Sequence, residues 1–233
     1  VLHPPQSTAF KNLEEKQLEL NANSPLKLMF VGRAFFRKGG MEILKTFQKI
    51  RKHHSANIQL TIVSSLEIDN YATHETLDDI RKVHEIITEN SEWIRYFPSL
   101  PNLEVLELMK TTHIGLLPTW ADTYGYSVLE FQAAGCPVIS TDIRALPEIN
   151  SNECGWLISV PKNRLGEGLY TTAEHRSQMK EAIANGLEET ILSILENRET
   201  VRSKAQKSFE RIQQAHCPIN FAKQLEAIYA NAL

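Results

Sequence analysis

Two short stretches of the sequence hold residue types that bind anions and hydroxyl groups. In the first, VGRAFFRKGG, Gly32 and Arg33 follow an apolar run and Lys38 precedes two glycines. Arginine can fork onto two phosphate oxygens, and lysine can add a mobile point charge. Because the glycine pair is typical of a turn that opens a helix, whose free amides attract anions, the stretch indicates an anion site. Taken alone, either cation would be better explained as a solvated surface charge.

The second stretch, DTYGYSVLE, spans residues 122–130 and begins an apolar helical run. A helix from about Tyr124 would have Asp122 or Thr123 as its N-cap. The free amides around Gly125 and Tyr126 would then point above the predicted sheet. A simple capping role is the alternative for Asp122.

Glu130 is the unusual residue of this helix, because its neighbours in the sequence are apolar. It lies four residues after Tyr126, on the same helix face. A carboxylate only accepts hydrogen bonds, so it suits the vicinal hydroxyls of a ribose or hexose. Burying it unpaired is costly, which favours a ligand or protein donor beside it. A partly covered surface residue is the alternative.

Together the two stretches offer cations for a diphosphate, amides for phosphate or sugar oxygens, and carboxylates for hydroxyls. This combination predicts a nucleotide-sugar site. The dinucleotide fingerprint G-x-G-x-x-G is absent from the first stretch, and its lysine lacks the glycine frame and following Ser or Thr of a Walker loop.

The surrounding pattern predicts the fold that must position these residues. Apolar β-branched runs alternate with amphipathic segments, which favours an α/β fold with a doubly wound, Rossmann-like parallel sheet. Ligands of such sheets lie beyond the carboxyl ends of the strands, where both stretches fall. The predicted strands are 26–32, 57–65, 92–97, 113–119, 137–141 and 155–160, and the predicted helices are 38–54, 75–90, 101–112, 124–134, one or two over 174 to about 214, and 218–233.

Composition narrows the class of protein. The 233 residues carry a net charge of −3, which argues against nucleic acid as a partner. The three cysteines are scattered, and neither a disulfide framework nor a thiolate zinc site is indicated. His74 and Asp78 lack a third ligand at useful spacing, so we expect no metal. With no visible export signal or spanning segment, we expect a cytoplasmic protein.

Longer motifs around the two stretches resemble a known family. FVGRAFFRKGGMEILKTF and GLLPTWADTYGYSVLEFQAAGCPVISTDIRALPEI are similar to the donor-binding, carboxy-terminal half of retaining glycosyltransferases of the GT-B fold, in particular glycosyltransferase family 4 (glycosyl transferases group 1). The resemblance covers residues 26 to about 160 well. It implies a hexosyltransferase that uses a nucleoside-diphosphate sugar, retains configuration at the transferred sugar and needs no metal or other cofactor.

The resemblance implies roles for the catalytic residues. Arg33 and Lys38 would hold the donor diphosphate and stabilise it as leaving group. Glu130 would accept hydrogen bonds from the ribose. Asp122 would hold the transferred sugar.

The resemblance also implies a wider donor-binding set. Gly32 and Thr123 would belong to it, the amides of the loop before the helix would hold sugar and distal phosphate, and the base would lie near the end of the third strand. The remaining residues of this set are Tyr124, Gly125, Tyr126, Tyr96 and Phe97.

The sequence departs from the family pattern at several places. Asp122 stands where the family usually has Glu, and Thr123 stands where it usually has Gly. Tyr126 and Ser127 replace small or aliphatic residues. The segment VPKNRLGEGLYTTAEH, residues 160–175, is longer than the usual turn there.

The resemblance also implies a domain organisation. We interpret residues 1–25 as interdomain linker and extension, 26–215 as the nucleotide-sugar-binding domain and 216–233 as a C-terminal helix. An amino-terminal domain of the same enzyme would supply the acceptor site, for a saccharide, lipid or small molecule, and any peripheral contact with the inner face of the membrane.

Two other functions fit the same pattern. One is a non-catalytic nucleotide-binding or regulatory module on the same fold. The other is a sugar phosphorylase with lysine-linked pyridoxal phosphate, for which no matching lysine context is found.

Overall fold

A computed structural model describes residues 2–16 and 18–231 of the chain. Its centre is a six-stranded, all-parallel sheet with the strand order β3-β2-β1-β4-β5-β6. The strands are β1 Leu26–Val31, β2 Ile58–Val63, β3 Ile94–Phe97, β4 Ile114–Leu117, β5 Val138–Thr141 and β6 Trp156–Ile158. The chain leaves β1 in one direction for β2 and β3, then returns to the other side of β1 for β4 to β6. The switch point of this doubly wound sheet therefore lies between β1 and β4.

Helices cover both faces of the sheet, as buried parallel strands require. They are α1 Gly40–His54, α2 Leu77–Glu89, α3 Asn102–Thr111, α4 Tyr126–Ala133, α5 Leu146–Ile149, α6 Ala173–Glu196, α7 Glu199–Ala215 and α8 Pro218–Ala230. Every residue of β4 is buried, whereas β1 is buried at four of its six positions. The predicted α/β fold and the predicted strands are confirmed, and the ends of each strand agree within two residues. In the described part of the chain, no helix is both long and apolar enough to cross a bilayer.

Long amphipathic helices complete the core after β6. Met179, Ile183 and Leu187 are fully buried on one face of α6, as their spacing predicts. The predicted segment from 174 to about 214 is two helices, which break at Asn197 and Arg198. The last two residues of the predicted terminal helix lie outside the described residues.

Helices α1, α2 and α4 each begin two residues later than predicted, and α3 begins one residue later. α1 starts at Gly40 rather than Lys38, because the chain first makes a turn in which Lys38 N donates to Ala34 O at 3.1 Å. Gly39 ends this turn with φ +85°, in the left-handed region that favours glycine.

The predicted N-cap of α4 is wrong. Gly125, with φ +88°, occupies the cap position, so the helix begins at Tyr126. A β-carbon at position 125 would lie 2.5 Å from the Leu146 side chain, so the turn needs glycine for its close packing as well as for its φ. Asp122 and Thr123 are left in the preceding loop.

Candidate functional site

The loop after β1 brings its glycine and its lysine into contact. Gly32 continues the strand, its amide donating to Val63 O at 3.1 Å. The methylene chain of Lys38 folds back over this glycine, and a β-carbon at position 32 would lie 3.5 Å from Lys38 Cγ. The Lys38 ammonium then forms an ion pair with Asp122. The lysine therefore lies at the switch point, between the ends of β1 and β4.

A large cleft of about 550 Å³ opens on one side of this lysine. Residues from the carboxyl ends of three strands and one side chain of α4 line it. They include Gly32, Arg33, Ser64, Ser65, Glu67, Pro98, Ser99, Leu100 and Glu130. The cleft thus joins the end of β1 to the helix that follows β4.

Arg33 and Glu130 contribute opposite charges to the large cleft. The Arg33 side chain is 90% exposed, and its nearest carboxylate is that of Glu67, at 3.9 Å. Such an exposed and loose pair leaves the guanidinium free to bind another anion. Ser65 adds a buried hydroxyl that has no hydrogen-bond partner within residues 2–16 and 18–231.

Glu130 is the residue of the large cleft whose charge is least compensated by the described residues. Its side chain is half-buried, and burial raises the pKa of its carboxyl above the ordinary value. Among the described residues, no side chain or amide donates a hydrogen bond or ion pair to it. A partly desolvated acceptor without donors is suited to hydroxyl groups brought by a ligand.

A small cleft of about 240 Å³ lies on the other side of the lysine. Its lining residues come from four loops and carry three cations, one carboxylate and one aromatic ring. They are Arg37, Lys38, Tyr71, Ala121, Asp122, Thr123 and Arg144. Because Gly32 lines the large cleft and its contact Lys38 lines the small one, the two clefts adjoin at this contact.

Asp122 connects the loop after β1 to the loop before α4 at this junction. One carboxylate oxygen pairs with Lys38, and Oδ1 accepts a hydrogen bond from Tyr124 N at 3.3 Å. The Tyr124 amide, which we predicted to contact the donor, is thus used within the protein. In the described structure, the amides of Gly125, Tyr126 and Ser127 at the start of α4 donate no hydrogen bond, although none of these residues lines either cleft.

The two residues predicted near the base lie outside both clefts. Tyr96 packs edge-on against His84, with 6.3 Å between ring centroids, and Phe97 lies under the Arg95 guanidinium at 5.5 Å. The residues that follow them, Pro98 to Leu100, line the large cleft instead. Sequence reasoning missed these residues and Ser64–Ser65, although all of them come directly after a strand, where the carboxyl-end rule points.

Tyr124 and Tyr126, at the start of α4, differ in how far their rings are exposed. The Tyr124 ring is half-buried, its hydroxyl is buried, and burial raises its pKa. The Tyr126 ring lies 5.3 Å from it, centroid to centroid, and is largely exposed. Neither ring lines the two clefts.

The chain is thus a Rossmann-like domain with two adjoining clefts at the switch point of its sheet. The family model described as "Glycosyl transferases group 1" matches residues 25–174. The chain belongs to this family.

Individual relatives agree with this assignment. An uncharacterized glycosyltransferase of Methanocaldococcus jannaschii is 26% identical over 137 residues, which are 58% of this chain and 32% of that protein. This chain thus spans about a third of the length of the curated relatives it matches.

Solved structures share the fold at low sequence identity. Anabaena HepE, solved in complex with UDP, has a TM-score of 0.65 and 13% identity, over 94% of this chain and 52% of that one. The C-terminal domain of a glycosyl transferase group 1 family protein from Francisella tularensis has a TM-score of 0.62 and 16% identity, over 93% and 97% of the two chains. The predicted half of a GT-B fold is thereby confirmed.

Proposed function

We propose that this chain is the carboxy-terminal, donor-binding domain of a retaining family 4 glycosyltransferase, which transfers a hexosyl group from a nucleoside-diphosphate sugar to an acceptor hydroxyl. The observation that carries the proposal is Glu130, a half-buried carboxylate that receives no hydrogen bond from the described residues and lies in the same cleft as Gly32 and Arg33. The family supports a sugar-transfer reaction, and the HepE structure, solved with UDP, supports a nucleotide donor.

The adjoining clefts suggest how a donor would lie. The nucleoside would occupy the large cleft, with its ribose hydroxyls donating to Glu130. The diphosphate would cross the junction of Gly32 and Lys38, within reach of Arg33. The hexose would enter the small cleft beside Asp122. This order gives each part of a nucleotide sugar a partner of matching chemistry.

Catalysis would rest on charge compensation and positioning. As the bond from sugar to phosphate breaks, negative charge grows on the diphosphate, and Arg33 and Lys38 stabilise it. The free amides at the start of α4 would add dipoles aimed at the same group. The departing phosphate would accept the proton of the acceptor hydroxyl, whose oxygen attacks the sugar from the face that the phosphate leaves, so configuration is retained. Holding the reactants in this geometry supplies much of the remaining rate enhancement.

The rest of the enzyme would complete the reaction. We propose a cytoplasmic enzyme whose amino-terminal domain binds the acceptor and makes any contact with the inner face of the membrane. We also propose that donor binding needs no metal, so a chelator such as EDTA should leave the donor affinity unchanged.

Calorimetric titration tests the donor site. The chain is titrated with uridine, guanosine, adenosine and thymidine diphosphates, with and without an attached sugar. One of them should bind in the micromolar to millimolar range. Arg33→Ala and Lys38→Ala should each weaken that binding at least tenfold, which corresponds to about 1.4 kcal/mol.

A matched control is Arg81→Ala, which removes an exposed arginine of α2 that lines neither cleft. Its affinity should equal that of the wild type. If both Arg33→Ala and Lys38→Ala bind with wild-type affinity, the proposed position of the diphosphate at this junction is wrong.

A further inference from the structure

The small cleft carries more positive charge than a neutral hexose needs. Besides the lysine at the junction, Arg37 and Arg144 line its wall, together with the ring of Tyr71. Neither arginine takes part in the donor site as proposed above. An aromatic ring with two guanidinium groups is suited to a sugar that carries an anion.

Each of these arginines pairs with one carboxylate through a single nitrogen, by a hydrogen bond for Arg144 and by a longer ionic contact for Arg37. Arg37 Nε lies 3.4 Å from the buried carboxylate of Asp69, and Arg144 Nη2 pairs with Glu167. A guanidinium has five N–H donors. In the described part of the chain, the remaining nitrogens of both side chains make no other hydrogen bond. The carboxylates therefore orient the two guanidinium groups and leave most of their donors for a ligand.

The backbone of Arg144 is strained. Its φ is +46°, in the left-handed region that non-glycine residues rarely adopt. Glycine would fit this position without strain, so the arginine side chain is present at a cost in stability. Backbone strain of this kind concentrates at ligand sites, where the surrounding structure enforces it. Here the enforcing bond is Arg144 N to Gly166 O, at 2.8 Å.

The long loop after β6 builds this wall. A bridge between Lys162 and Gly168 folds residues 162–168 into a closed turn. From that turn Glu167 reaches Arg144, and further along Tyr170 packs against Tyr71, with 5.6 Å between ring centroids. This is the segment whose extra length the family pattern leaves unexplained. Its contacts position two residues that line the small cleft.

We infer that the small cleft binds an anionic group, a phosphate or a carboxylate, carried by a sugar, with Arg37 and Arg144 as its ligands. This inference rests on the proposed donor site and adds the class of sugar that enters beside it. The anionic group belongs either to the sugar that is transferred or to the part of an acceptor that reaches this cleft from the proposed amino-terminal domain. The two sources require different ligands in the test.

The first arm tests the acceptor. The chain is saturated with the nucleoside diphosphate that binds best, so that the diphosphate junction is occupied, and is then titrated with glucose 6-phosphate, glucose or inorganic phosphate. We expect glucose 6-phosphate to bind at least tenfold more tightly than the other two. Arg37→Ala and Arg144→Gly should each weaken the binding of glucose 6-phosphate at least tenfold.

The second arm tests the transferred sugar. Nucleoside-diphosphate glucuronate is compared with the corresponding glucose compound, on the same base. If the anion comes from the donor, the wild type should prefer the glucuronate at least tenfold, and the two arginine substitutions should abolish that preference. Selective losses in either arm support the inference and identify the source.

The controls separate binding from folding. Arg144→Gly should unfold at the wild-type temperature or above it, because glycine removes the left-handed strain, and Arg37→Ala is a second variant without any backbone change. Arg164→Gly changes an exposed arginine on the long loop after β6 and should bind like the wild type.

Three outcomes would contradict the proposals. Nucleoside diphosphate binding with no effect of either arginine in both arms overturns the anionic subsite and leaves the donor site standing. Equal losses in Arg164→Gly would also overturn the subsite. A chain that binds no nucleoside diphosphate overturns the donor site and this inference with it.

Discussion

Charged and titratable side chains at the two ends of the sheet differ in their burial and in their hydrogen bonds. At the amino ends of β1, β4 and β5, Lys16 and His113 are buried and hydrogen-bonded to the backbone. At the carboxyl ends, Arg33 has one loose partner, Glu130 has none within residues 2–16 and 18–231, and both line a cleft. Residue type alone does not separate these ends. For these four residues the difference lies in burial and in the protein partners found within the described residues: Lys16 and His113 are enclosed and hydrogen-bonded, whereas Arg33 and Glu130 face a cleft.

The amino end shows how a buried cation can be structural. Lys16 Nζ donates to Ala134 O at 2.6 Å and lies 2.9 Å from Cys136 Sγ. Ala134 follows the last turn of α4, so the ammonium interacts favourably with the helix C-terminus as well. Burial raises the pKa of the Cys136 thiol, which keeps it protonated and unreactive.

The titration of His113 should give the largest effect, which is on the stability of the fold and not on ligand binding. Its Nδ1 accepts from Lys27 N at 3.1 Å, and burial lowers its pKa from 6.5 to about 4. Above pH 6.5 it is neutral in both states. As the pH falls from 6.5 to 4, only the unfolded chain takes up the proton, so the free energy of unfolding should drop by up to about 3 kcal/mol.

Urea unfolding between pH 7 and pH 4 measures this loss. His113→Asn keeps an acceptor for Lys27 N and cannot titrate, so its stability should fall less over that range. His84→Asn, on the exposed face of α2, serves as the control and should follow the wild type. Parallel curves for the wild type and His113→Asn would show that His113 is not responsible.

Lys16→Met should give the next largest effect, again on stability. The substitution leaves Ala134 O without its charged donor, and we expect a loss of about 2 kcal/mol. For a chain of this size, that lowers Tm by about 4 to 8 °C. Thermal unfolding checks the value, with Lys11→Met, an exposed lysine of the same segment, as control. The comparison between the two ends fails if Lys16→Met weakens nucleotide binding while Tm stays unchanged.

The pH dependence of donor binding should give a smaller effect at the other end. The raised pKa of Glu130 means that it loses its proton at a higher pH than an ordinary glutamate. Ribose hydroxyls donate to the ionised form, so donor affinity should increase as the pH rises through that pKa, by about 1 kcal/mol. The diphosphate titrates as well, and Glu130→Gln shares that background. Identical pH profiles for the wild type and Glu130→Gln would exclude ionised Glu130 from the donor site.

Asp122→Asn should give the smallest effect, and its direction is informative. Removing the carboxylate frees Lys38 for the diphosphate, so the nucleoside diphosphate should bind more tightly, by about threefold. Asp78→Asn, which breaks an exposed ion pair with Arg81, should leave the affinity unchanged. Calorimetry distinguishes the two variants. Weaker binding in Asp122→Asn would mean that the Lys38–Asp122 pair helps to hold the ligand.

Much of the fold could be predicted from the sequence, because it depends on local patterns. Alternating strand and helix signals between residues 26 and 160 are sufficient to predict a parallel sheet, and the rule that ligands lie at carboxyl ends then selects the loops after β1 and β4. Arg33 and Glu130, which are 97 positions apart in the sequence, do line one cleft. Their roles remain predictions.

The details that were wrong or missed depend on tertiary contacts. Asp122 caps no helix, because Lys38, 84 residues away, binds its carboxylate and Gly125 makes the turn. Tyr96 and Phe97 are still part of β3, and the chain reaches the cleft only at Pro98. Local sequence patterns do not encode partners so far apart in the chain. They also do not fix the end of a strand to better than a few residues.

The interaction between Glu130 and the ribose tests the donor site most directly. The affinities of the wild type and Glu130→Gln are measured for the preferred nucleoside diphosphate and for its 2′,3′-dideoxy analogue. We predict that Glu130→Gln weakens the ribonucleotide at least tenfold, or about 1.4 kcal/mol, and leaves the dideoxy analogue unaffected. Equal losses for the two nucleotides, or no loss for either, would contradict the assignment of this carboxylate to the donor.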